Sequence, residues 1–211
     1  MSEPKANSRK NSTFIILGVG LAFMAVIVFQ QMTTFPTAFE EKAKKSREAK
    51  DLQFRNDPDS PIPQEARDIF AGLRYFAPDE DLRIEANLVT DENQDTLKLL
   101  TTTGAYRQVL NYGKFYFRLD DQDYSLQAFK YTEPGVTTLF VPFTDETTGK
   151  ITYGGGRYLD VPIADEWFLD FNEAYNPYCV YNDSYSCPIP TRENHIPREI
   201  RAGELDYKPK K

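Results

Sequence analysis

Histidine occurs once in this chain of 211 residues, tryptophan once, cysteine twice and methionine three times. That scarcity excludes several chemistries. A zinc site takes about four nitrogen or sulfur ligands. His195, Cys179 and Cys187 leave one missing, and C-x7-C is not a usual zinc spacing, so no metal is expected. No G-x-S-x-G elbow supports a serine nucleophile. Neither G-x-G-x-x-G nor a G-K-[ST] ending supports a nucleotide cradle, and no cofactor is expected. Bases are in the minority, with 25 Lys and Arg against 32 Asp and Glu and a net charge of −7. From Asp160 to His195 the acids Asp160, Asp165, Glu166, Asp170, Glu173, Asp183 and Glu193 face one base, Arg192. Such a surface repels phosphate backbones, and no basic stripe crosses the region beyond residue 56. Nucleic acid is therefore excluded as a partner.

Charge is also absent from FIILGVGLAFMAVIVF, residues 14–29. With Thr13 and Gln30–Met32 this run approaches the length that crosses a hydrocarbon core of about 30 Å. A cleaved secretory signal is the competing reading, but no small-residue cleavage site follows. The expectation is a tail over 1–12 on the cytoplasmic side, a single-pass transmembrane helix over 13–32 and an extracytoplasmic domain. Lys5, Arg9 and Lys10 before the span support that orientation. The bases after it, from Lys42 to Lys50, are more numerous but lie farther away.

Residues 33–56 are rich in Glu, Lys, Ala and Arg, all good helix formers. Phe39, Ala43 and Leu52 form only a thin apolar stripe, which reads as a solvated helical stalk or as a helix that packs on a membrane-protein partner. The proline-rich NDPDSPIP breaks the pattern, and residues 57–211 make one ordinary domain. A short helix is expected in PQEARDIFAGL. From Leu82 the period changes to two: LRIEANLV, TLKLLTT, FYFRL paired with YSLQAFKY across DDQD, the apolar TLFVPF, then RYLD and WFLDF. Aromatic residues make up 14% of the chain, including 13 Tyr and 15 Phe, and they favour strands. The expected fold is mainly β, an antiparallel barrel or sandwich with short flanking helices, preceded by the transmembrane helix.

The chemistry concentrates in LDFNEAYNPYCVYNDSYSCPIPTRENH, residues 169–195. Outside the cytoplasm Cys179 and Cys187 would form a disulfide, which stabilises by roughly 2.5 kcal/mol for so short a loop. In a reducing compartment they would be buried thiols. Asp170, Asn172, Asn176, Glu193 and Asn194, among aromatic residues such as Tyr175, could bind a sugar, another polar small molecule or a cation. The alternative is that they cap irregular backbone. Gly154-Gly155-Gly156 precedes Arg157 at a sharp sheet corner or bulge. Arg157 could pair with Asp160 or Asp170 and line a pocket for an anion. A lone histidine beside Asn194 and Ile196 suits a surface turn better than catalysis.

The segments TYGGGRYLD (152–160), LDFNEAYNPYC (169–179), CPIPTREN (187–194) and AGELDY (202–207), with SPIP (60–63) and GLRYF (72–76) upstream, resemble an uncharacterised bacterial family, domain of unknown function 1684. The resemblance covers about residues 45–207. It implies a mostly β domain, often secreted or membrane-attached, with no settled biochemical role. After the Glu-Asn pair the family pattern has Arg or another residue that does not titrate near neutral pH where this chain has His195, which speaks against catalysis by that histidine.

Three functions fit these readings. The first is a membrane-anchored binding or accessory module of the cell envelope that takes a small-molecule ligand. The second is an envelope hydrolase using Asp170 or Glu193 as general acid or base. The third is a structural subunit that docks onto a larger membrane complex through the helix and stalk.

Overall fold

The structure, a computed structural model, describes residues 36–133 and 135–207. The expected tail (1–12) and transmembrane span (13–32) lie outside them. No helix among the described residues is long and apolar enough to cross a membrane. From Phe39 onward the chain forms one compact unit.

The expected strand segments become β1 (Arg83–Thr90), β2 (Thr96–Leu100), β3 (Tyr106–Leu119), β4 (Gln122–Lys130), β5 (Thr138–Asp145), β6 (Arg157–Pro162) and β7 (Trp167–Asp170), and the two-residue β8 (His195–Ile196) forms where a surface turn was expected. Their hydrogen-bonded order is β6-β5-β4-β3-β1-β7, with β2 added to β3 and β8 added to β5. All pairs are antiparallel except β5–β8. The two ends of the path, β6 and β7, are consecutive in the chain and lie against each other. The sheet thus curls into a nearly closed, barrel-like antiparallel fold, as the alternation implies.

Alternation assigns the two faces. Phe115, Phe117, Leu126, Ala128, Leu139, Val141, Phe143, Leu159, Val161 and Leu169 fill the interior. On the outer face Leu99, Val109, Phe129, Phe140, Tyr158 and Cys187 form a second cluster. Val109 and Phe115 have the same parity yet face opposite sides. Between Asn111 and Gly113 the β3–β4 register shifts, leaving Tyr112 as an extra residue. Such a bulge reverses the alternation beyond it. Gly113 is required there, because a Cβ would lie 2.4 Å from the Val89 carbonyl oxygen. The DDQD hairpin is a two-residue turn in which Asp120 and Asp121 take φ of 48° and 60°, matching the right-handed twist of the flanking strands.

Two helices precede the sheet: α1 (Ala38–Asn56) and α2 (Gln64–Arg67). The helix expected in PQEARDIFAGL is one turn long, and Ile69 beyond it is exposed. α1 is not a solvated stalk. It buries Ala43 and Phe54, and Phe54 packs with Ile62, Phe70 and Tyr181 in a third apolar cluster. Arg47 donates to the Phe76 carbonyl, Asp51 accepts from the Leu73 amide at 2.9 Å, and Lys50 pairs with Glu204 at 2.6 Å. The thin stripe understated this burial, because long polar side chains carry part of the interface.

Candidate functional site

The segment that follows β7 leaves the barrel and lies across its outer face. Tyr175 bridges to Tyr158 through reciprocal backbone hydrogen bonds of 2.9 and 3.0 Å. The Tyr158 hydroxyl donates to the Pro188 carbonyl. Cys187 and Ile189 pair with the β2–β3 turn through Thr102 and Leu100. Between this segment, the outward residues of β5 and β6, and α1 lies a cleft of about 760 Å³, a size suited to a small ligand.

Four rings run in succession along the cleft. Tyr131 and Phe140 have centroids 5.1 Å apart, Phe140 and Tyr158 4.7 Å, and Tyr158 and Tyr175 5.7 Å. Cations flank this arc. Arg107 sits 5.1 Å from the Tyr131 centroid and Lys50 4.8 Å from that of Tyr175. Asp160 projects outward from β6, since Leu159 and Val161 face the interior. Its Oδ2 accepts from the Tyr175 hydroxyl at 2.8 Å. Asp160 is exposed to the cavity, yet the cleft walls partly desolvate its carboxyl and raise its pKa; the Tyr175 hydrogen bond and Lys50 oppose this. Burial also pushes Tyr131 up to about 12 and Tyr175 well above the ordinary tyrosine value. Both phenols remain protonated donors at neutral pH.

The expected site residues divide between cleft and scaffold. Tyr175 and Asp170 line the cleft, but Asp170 also caps the Asn172 amide and stands 3.9 Å from Arg83. Asn172 exchanges bonds with the backbone of Asp79 at 2.8 and 2.7 Å. The Asn176 amide N–H donates to Glu204 and its side chain donates to the Leu205 carbonyl, both at 2.8 Å. Asn194 accepts from the Gln127 amide at 2.7 Å and donates to the carbonyls of Gln127 and Pro142 at 2.9 and 2.7 Å. These three asparagines hold backbone together. Glu193 is exposed and does not line the cleft.

Arg157 does not meet Asp160 or Asp170. It is fully buried and paired with Asp145 at 2.8 Å. It also donates to the carbonyls of Ala202 and Ile200. Desolvation lowers its pKa and Asp145 opposes the shift. Gly156 turns the chain into β6 at φ 85°, where a Cβ would meet the Phe143 carbonyl oxygen at 2.6 Å. The expected anion pocket at Arg157 is therefore replaced by a buried ion pair that ties the C-terminal segment to the barrel.

Cys179 and Cys187 are free thiols in this structure, not the expected disulfide. The turn does bring them together: the Cys179 amide donates to Cys187 Sγ at 3.2 Å. A hydrogen bond from the Cys187 thiol lowers the Cys179 pKa to about 6, and the same bond raises that of Cys187. The corner is held by the 3-10 turn Tyr178–Val180 and by the Cys187 contacts to Thr102.

Lys50, Arg107, Tyr131 and Phe140 carry no site expectation from the sequence, and Asp160 was expected only as a partner of Arg157. Asp160 was legible as an outward residue of RYLD. The others come from distant segments and carry no local signal.

Fold and cleft together define a barrel-like β domain with an aromatic-walled recess on its outer face. The chain belongs to the family described as protein of unknown function (DUF1684), which matches residues 68–205. That match bears on family and not on bacterial origin. A solution NMR structure of an uncharacterized protein of Haloarcula marismortui is similar, at 40% identity over 79% of this chain and 93% of that one, with a TM-score of 0.63. No curated protein matches.

Proposed function

We propose that this protein is a non-catalytic binding module for a small molecule, tethered at the cell envelope by residues 13–32. One observation carries the binding reading: the cleft presents an accessible carboxylate, Asp160, hydrogen-bonded to the Tyr175 hydroxyl beside a series of four aromatic rings, with no cation within 4.0 Å of it among the described residues. Apolar walls with a few convergent polar groups are the usual make-up of a ligand site. The uncharged run from Phe14 to Phe29 supports the tether. The Asp170/Glu193 hydrolase lacks its geometry, since only Asp170 lines the cleft. Docking of α1 onto a larger complex is weakened by Ala43 and Phe54, which α1 buries within its own unit.

The test is equilibrium dialysis of the detergent-solubilised full chain against a metabolite extract, with mass spectrometry of the retained compounds. The wild type retains a compound that Asp160→Asn and the cleft-filling Ala164→Trp do not. Equal retention by all three overturns the site. Alkaline carbonate leaves the full chain in the membrane pellet; release into the supernatant overturns the tether.

A further inference from the structure

The charges lining the cleft are mostly committed to one another. Lys50 is held by Glu204 at 2.6 Å, and Arg83 stands 3.9 Å from Asp170 and 3.8 Å from the Phe168 ring centroid. Glu173 accepts from Ser46 at 3.3 Å. Two groups on the aromatic arc lack an ionic partner among the described residues. One is Asp160, whose Oδ2 accepts only the Tyr175 hydroxyl and whose Oδ1 is free to accept. The other is Arg107, which rests on the Tyr131 ring and has no carboxylate within 4.0 Å among the described residues. Tyr131 feels Arg107 and two carboxylates, Asp160 and Glu133; Asp160 bonds Tyr175 at one end of the arc and Arg107 lies on Tyr131 at the other.

We infer that the ligand is a zwitterion whose ammonium group enters the Asp160–Tyr175–Tyr158–Phe140 end of the cleft and whose carboxylate meets Arg107. This inference rests on the cleft being a binding site and names what it takes. An ammonium there gains a charge-assisted bond to Asp160 Oδ1 and the negative faces of nearby rings. The arc already accepts cations on its faces, as Lys50 shows on Tyr175 at 4.8 Å. A plain cation would meet Arg107 and Lys50, and a plain anion would meet Asp160 and the neighbouring Glu166. A neutral sugar would leave both unpartnered charges unsatisfied. The zwitterion matches both, and the rings between them accept an apolar body. Primary ammonium compounds such as short peptides and quaternary ones such as betaines share this chemistry. Only the former can donate to Oδ1.

Isothermal titration calorimetry of the full chain in detergent micelles tests the inference with five probes: the dipeptide phenylalanyl-leucine, its N-acetyl form, its C-terminal amide, glycine betaine and a neutral disaccharide. The free dipeptide is expected to bind best, with the N-acetyl form and Asp160→Asn each weakening it by about tenfold or more. Loss of the terminal carboxylate, or Arg107→Gln, weakens binding by about threefold, because Arg107 is solvent-exposed and its pair is screened. Asp160→Asn melts no lower than the wild type, which separates lost recognition from lost folding. Betaine matching the dipeptide would assign the quaternary source. Equal binding of the N-acetyl form, or binding of the disaccharide alone, overturns the zwitterion and leaves the cleft as a site. Metabolite retention abolished in Asp160→Asn while no zwitterion here gives heat at millimolar concentration likewise overturns the class alone. No heat and no Asp160-dependent retention overturns both.

Discussion

Arg157 gives up its hydration entirely and recovers part of it from Asp145 and from the carbonyls of the returning C-terminal segment, with its Nε left without a hydrogen-bond partner. Removing one partner strands the other charge. Asp145→Asn or Arg157→Met should each lower the unfolding free energy by about 3–5 kcal/mol, and the double variant by less than the sum. Urea titration measures both. Asp160 carries the opposite sign. Its pKa is raised in the folded protein, so the folded state holds its proton more tightly than the unfolded one. The wild type has no penalty below the unfolded value of about 3.9 and loses stability as pH rises through the folded value. Asp160→Asn should therefore melt above the wild type at pH 7, with the difference closing by about pH 3. A constant difference across that range would contradict the desolvation argument. At Cys179 the thiolate is favoured by the Cys187 hydrogen bond, with a pKa of about 6. Iodoacetamide should label Cys179 rapidly at pH 7 and slow as pH falls through 6, while Cys187→Ala shifts that profile upward. Mass-spectrometric labelling rates at each sulfur decide this.

Among elements, β5 is the odd one. It holds Pro142, which donates no ladder hydrogen bond and is ordinarily kept out of interior strands. Yet β5 lies between β4 and β6. Its pairing with β4 is confined to Phe129 and Phe140, and beyond that point the Asn194 side chain fills the gap. It bonds the Gln127 amide and carbonyl together with the Pro142 carbonyl, a side-chain splice between two strands. Asn194→Ala leaves one buried and two partly buried backbone groups unpaired and should cost about 2 kcal/mol, whereas Glu193→Ala beside it should be near neutral. Chemical denaturation compares the two directly. A neutral Asn194→Ala would mean that β4 and β5 close without the splice. TLFVPF is legible as a buried strand from its apolar run, but the proline's tolerance depends on a residue 52 positions later.

At the scale of the molecule, α1 and the barrel form one unit through Phe54, Lys50 and Glu204. Glu204 is buried and accepts from Lys50, the Asn176 amide at 2.8 Å and the Tyr181 hydroxyl at 2.8 Å. The helix thereby supplies a wall of the cleft as well as apolar cover. Phe54→Ala should destabilise by about 3–5 kcal/mol and still unfold in a single transition, with circular dichroism and tyrosine fluorescence coinciding. Separate transitions would show α1 to be an independent appendage.

Local chemistry in the sequence determined strands β1 to β7, the DDQD hairpin, the glycine corner before β6 and the capping bent of the asparagines. Period-two alternation and turn preferences act over a few neighbouring residues. Only the tertiary structure decided that Arg157 is buried, that Asp160 faces a cleft, and that Lys50, Arg107 and Tyr175 meet around it. Those outcomes depend on the curl of the sheet and the return of the chain across its outer face. Distant segments meet there because packing brings them together, and no run of adjacent side chains records it.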